Sequence, residues 1–105
     1  MIKGKKLNLD QNNVITIGKF IFNKTCEAFP EQYDVYKGTK QVAYVRLRMG
    51  CLSVSVPDIS GEDIYYKNFN EDPAKGYFDT QEERMKYLTK IAKILKEKKK
   101  CRIII

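Results

Sequence analysis

The stretch Gln41-Val42-Ala43-Tyr44-Val45-Arg46-Leu47-Arg48-Met49-Gly50-Cys51-Leu52-Ser53-Val54-Ser55-Val56 decides the fold. Ala43, Val45, Leu47 and Met49 fall on one side of an extended chain, and Val42, Tyr44, Arg46 and Arg48 on the other. A period of two is what a strand with one buried face requires. Gly50-Cys51 reads as a two-residue type II′ loop, because glycine at the first central position accepts the positive φ that this turn needs. Counting outward pairs Met49 with Leu52, Leu47 with Val54 and Val45 with Val56 on the apolar side, and Arg48 with Ser53 and Arg46 with Ser55 on the polar side. A slip of one residue would break every apolar pair.

Upstream, Tyr33 to Lys37 and the run from Gln41 flank Lys37-Gly38-Thr39-Lys40, a short glycine-containing loop that joins strands into a hairpin. Val14-Ile15-Thr16-Ile17 and Phe20-Ile21-Phe22 read as one strand interrupted or bulged at Gly18. Residues 1–13, opened by Lys3, Lys5 and Lys6, read as a loose arm. Downstream, Pro57-Asp58 stops the third strand, and Asp63 to Lys67 forms a further strand in which Ile64 and Tyr66 share a face. Residues 68–79 form a loop.

Thr80 with Glu83 predicts a capping box, and Met85, Leu88, Ile91, Ala92 and Leu95 then recur at helical spacing. Lys86, Lys90, Lys93 and Glu97 occupy the far side. Ile103-Ile104-Ile105 after the basic run is expected to return as a final strand over 101–105, with an exposed contact as the competing reading. The expected fold class is therefore α+β, a single small domain over 1–105 with a meandering antiparallel β-sheet of four to six strands packed by one C-terminal amphipathic helix. A three-stranded sheet followed by an aromatic, a threonine cap and a helix, over about residues 32–96, resembles in architecture the sheet-type DNA-binding domains of some recombinases. Fold alone does not establish function.

Composition narrows the function. The chain of 105 residues carries a formal net charge of +7, yet residues 7–95 hold twelve bases and twelve acids, so the excess sits at the ends. Residues 58–83 hold eight acids against Lys67 and Lys75, a net of −6, and residues 84–102 hold nine bases against Glu97, a net of +8. Acids at a helix start and bases at its end suit the macrodipole. There is no histidine, which removes Ser-His and Cys-His nucleophile pairs and imidazole metal ligands. Asp58, Glu62 and Asp63 fit neither an EF-hand nor a hydrolase signature, and the six glycines are scattered singly. No metal, no cofactor and no enzymatic activity are expected. Cys26, Cys51 and Cys101, widely spaced, suit a reduced, cytoplasmic setting, and no apolar run approaches the roughly 20 residues that cross a bilayer.

Candidate binding residues are Tyr36, Tyr44, Arg46, Arg48, Ser53 and Ser55 on the polar side of the sheet, joined by Lys98, Lys99 and Lys100 at the basic end. Arginine offers a rigid fork for phosphate or carboxylate, and tyrosine a stacking surface. The competing reading is a solvated face on which the arginines pair with acids such as Asp34. The expected function is a non-enzymatic interaction module that binds a protein partner or assembles with itself through this face or a strand edge. The alternative is nucleic-acid binding through the same face and the basic termini.

Overall fold

Six stretches of alternating polarity pair in chain order to build the sheet. The computed structural model describes residues 14–26 and 30–104, with side chains described through Glu97. The arm expected at residues 1–13 lies outside the described residues. The strands are β1 (Val14–Ile17), β2 (Phe20–Lys24), β3 (Glu31–Lys37), β4 (Lys40–Arg48), β5 (Cys51–Val56) and β6 (Glu62–Asn68), followed by the helix α1 (Gln81–Ile104). They form one open antiparallel sheet in the order β1-β2-β3-β4-β5-β6, an α+β fold.

Alternation sorts the side chains as the sequence pattern requires. Phe20, Phe22, Tyr33, Val35, Ala43, Val45, Leu47, Leu52 and Val54 share one face and are buried beneath Leu88, Ile91, Ala92 and Leu95 of α1. The opposite face is left without a covering helix or sheet among the described residues.

Five local readings are corrected. The β4–β5 loop is Met49-Gly50, with φ of 51° and 75°, a left-handed pair in place of Gly50-Cys51. Arg48 therefore pairs with Cys51, Leu47 with Leu52, Val45 with Val54 and Arg46 with Ser53. The displacement is two residues, one full period of the pleat, so the side chains from Ala43 to Leu47 keep their faces, whereas Val42, expected on the polar side, is the extra residue of a bulge opposite Val35-Tyr36 and packs against the core. Met49 alone leaves the core for the hairpin tip, where it is 70% exposed. The cause is tertiary. Gly50 N–H donates to the Lys75 carbonyl at 2.9 Å, and Phe69 N–H donates to the Gly50 carbonyl at 2.7 Å. A β-carbon on Gly50 would lie 2.9 Å from Pro73 Cα, so this contact admits only glycine.

Gly18, at φ 60°, reverses the chain, and the single interrupted strand becomes the separate strands β1 and β2. A bulge in β6 lets Val54 pair with Tyr65 while Ser55 pairs with Asp63. Ile64, the extra residue, packs against the core while Tyr66 faces out, so the two do not share surroundings. Finally, residues 101–104 continue α1 rather than returning as a strand. Neither glycine nor proline follows Gly76, so nothing in the sequence halts the helix.

The helix start departs from a full capping box. Glu83 N–H donates to Thr80 Oγ1 at 3.0 Å, but the Glu83 carboxylate accepts from Asp79 N–H at 2.8 Å, one residue earlier than the motif predicts. Asp79 and Glu83 both hold the buried Lys75 ammonium, at 3.2 and 3.3 Å. Burial would lower the Lys75 pKa, yet these two carboxylates keep it raised. The lysine thus fixes the loop that clamps Gly50.

Candidate functional site

The sheet face turned away from α1 is a grid set by strand register. One row runs from Gln32 through Arg46 and Ser53 to Tyr66, a second from Asp34 through Tyr44 and Ser55 to Asp63, and a third from Arg48 through Cys51 to Asn68. Tyr36 lies on the same face beside Ile21 and Gln41. Directly opposed residues on one face stand about 4.5–5.5 Å apart, so each row is a line of contacts.

The six sheet residues expected from the sequence are brought together, but they divide by role. Tyr44 is buried and donates its hydroxyl to Gln32 Oε1 at 2.9 Å, and burial pushes its pKa up against the pull of nearby Arg46. Ser55 is buried and donates to Asp63 Oδ1 at 2.7 Å. These two build the face and do not present themselves to a partner. Tyr36, Arg46 and Ser53 are half-buried, and Arg48 is exposed. The Lys98, Lys99 and Lys100 side chains lie outside the described residues.

Arg46 and Arg48 form no ion pair among the described residues. Asp34, the expected partner, accepts instead from Gln41 Nε2 at 3.1 Å. Arg46 hydrogen-bonds to Tyr44, and both guanidinium groups lie on this face without a carboxylate partner in an ion pair among the described residues.

Tyr66, Cys51 and Asn68 complete this corner and were not expected there. Tyr66 is 60% exposed, and the Cys51 thiol donates to its phenol oxygen at 2.8 Å. That contact with Cys51 raises the Tyr66 pKa. The signal that could have placed Tyr66 was its pairing with Ser53, which the bulge at Ile64 hides from simple counting. Tyr65, by contrast, turns to the helix side opposite Val54.

Beside the arginine corner lies a depression of about 410 Å³, lined by Thr25, Gln32, Asp34, Gln41, Tyr44, Asp58, Ile59 and Ser60. Two of its walls are carboxylates and one is an exposed isoleucine. The face is consequently bipolar, with guanidinium groups at one end and acids around the hollow at the other.

Among the described residues, no three His, Cys, Asp or Glu side chains are grouped to hold a metal ion, and no helix is long and apolar enough to cross a membrane. Neither family models, curated proteins nor solved structures match the chain, so the chemistry of the site stands on its geometry.

Proposed function

We propose that the protein is a non-enzymatic interaction module that binds a protein partner, or a second copy of itself, through the uncovered face of its sheet. Arg46 and Arg48, neither of them in an ion pair among the described residues and both on the face of the exposed Tyr66, carry this reading. Tyrosine and arginine are the side chains most enriched among interface residues that dominate binding energy. The acids around the neighbouring hollow favour a protein over a polyanion on this face. A protein surface can answer guanidinium with carboxylate and carboxylate with ammonium or amide, whereas a phosphate chain laid across Asp34 and Asp58 would meet repulsion.

The test compares the wild-type chain with Arg46→Glu/Arg48→Glu, first by light scattering and then by quantitative affinity purification from the native host. The variant should keep the wild-type melting temperature, because neither arginine is committed to an internal ion pair, and should lose a self-association or a partner that the wild type retains. Identical oligomeric state and identical retained proteins in both would refute the reading.

A further inference from the structure

A second charged surface lies on the helix side of the β6 edge, away from the open face. The alternation of β6 turns Tyr65 and Lys67 toward α1, where Lys86 and Lys90 project one helical turn apart. Lys67 Nζ stands 5.2 Å from the ring centre of Phe69, Lys86 Nζ 5.4 Å from Tyr87, and Lys90 Nζ 5.7 Å from Tyr65. The rings are themselves fixed, since Tyr87 meets Phe69 edge-on at 5.4 Å and stacks on Phe78 at 5.6 Å. An ammonium drawn to an aromatic face gives up part of its rotamer freedom before any ligand arrives.

None of these three lysines forms an ion pair among the described residues. The nearby Glu83 is already engaged by Lys75 and by Asp79 N–H. Lys93 and Lys96, both exposed, extend the same charge along α1. The flank is therefore predominantly positive between Glu82, one turn before Lys86, and Glu97, one turn after Lys93.

We infer that this flank binds the phosphate backbone of single-stranded nucleic acid without reading its bases. A ligand that is itself a row of charges matches ammonium groups repeated along the helix and continued on β6. Lysine acts as a point charge toward phosphate, and the flank offers none of the arginine forks that grip protein carboxylates in fixed geometry. A single strand can bend to follow lysines on two elements that are not collinear. Neutralising phosphates releases counterions, and this makes affinity fall with salt.

Fluorescence anisotropy of a labelled oligothymidylate with the full chain, titrated from about 50 to 200 mM salt, tests the inference. Each lysine that meets a phosphate should contribute about 0.7 to the slope of log affinity against log salt, so Lys67→Gln/Lys86→Gln/Lys90→Gln should flatten it by about 2. Arg46→Gln/Arg48→Gln should leave the slope unchanged, which separates this surface from the open face. The corresponding lysine-to-arginine triple variant should retain the slope. If the glutamine triple variant does not fold, Lys86→Gln alone should flatten the slope by about 0.7. No binding at the lowest salt, an unchanged slope in the glutamine variants, or equal competition by poly-glutamate would each overturn the inference.

Discussion

Replacing Arg84 by methionine removes the cation from a buried carboxylate, and the structure gives the cost its scale. The Glu31 side chain has no solvent exposure, while Arg84 retains 21%. Oε1 accepts from Phe78 N–H at 2.9 Å and from Arg84 Nη2 at 3.2 Å. Oε2 accepts from Arg84 Nε at 2.6 Å and from the Tyr33 hydroxyl. Four donors thus hold one carboxylate between the start of β3, the loop before α1 and the first turns of the helix. Burial would push the Glu31 pKa up, but Arg84, then Tyr33 and Phe78, bring it below its ordinary value of 4.5. In Arg84→Met the charge stays buried with only two donors, and removing one partner of such a pair costs about 3–5 kcal/mol. At about 4–8 °C per kcal/mol for a domain near this size, the melting temperature should fall by at least about 12 °C.

The pH dependence supplies a second readout with opposite signs. In the wild type the depressed Glu31 pKa contributes stability that is present above 4.5 and lost as pH falls through the folded value. In Arg84→Met, burial dominates and the folded pKa lies above the unfolded one. Its stability should therefore rise as pH is lowered from about 7 to about 5. Glu31→Gln added to Arg84→Met should recover part of the loss, since an amide can still accept from Phe78 and Tyr33 without a buried charge. Urea unfolding followed by circular dichroism measures all three. A loss under about 1 kcal/mol, the scale of a solvated surface pair, would refute the reasoning.

The hairpin tip gives two changes of opposite sign: Met49→Gly should stabilise by about 1 kcal/mol by removing a side chain held at positive φ, and Gly50→Ala should destabilise by more than that, because its β-carbon would strike Pro73. Thermal melts of both variants check this, and equal effects would contradict the left-handed Met49-Gly50 loop. Truncating Leu88 or Ile91 to alanine, each fully buried beneath the sheet, should cost roughly 2–5 kcal/mol in chemical unfolding.

The elements legible in the sequence were those governed by short-range periodicity. Ala43, Val45 and Leu47 alternate with Tyr44, Arg46 and Arg48, and the apolar stripe from Leu88 to Leu95 repeats at helical spacing, so the sheet face, the helix and the uncovered arginines follow directly. The Met49-Gly50 loop was hidden because a left-handed methionine is locally disfavoured, and only the clamp of Gly50 by Phe69 and Lys75 makes it the better turn. Ile103 and Ile104 carry a strand propensity, but the backbone there follows the helix that precedes them, in keeping with the weak and context-dependent nature of such preferences. The Glu31–Arg84 pair joins residues 53 positions apart, and no local pattern announces it.

The bulge at Ile64 explains how one short strand serves two surfaces of different charge. With strict alternation, Asp63 would fall on the same side as Tyr65 and Lys67, facing α1. A carboxylate there would lie among the lysines seated on Phe69, Tyr87 and Tyr65 and would compensate their charge. The extra residue instead sets Asp63 opposite Ser55, on the same face as Tyr66, where it accepts the serine hydroxyl. The bulge therefore keeps Asp63 on the bipolar face, and Glu62, opposite the core-packed Val56, takes the helix side at the end of β6 away from Lys67 and Phe69.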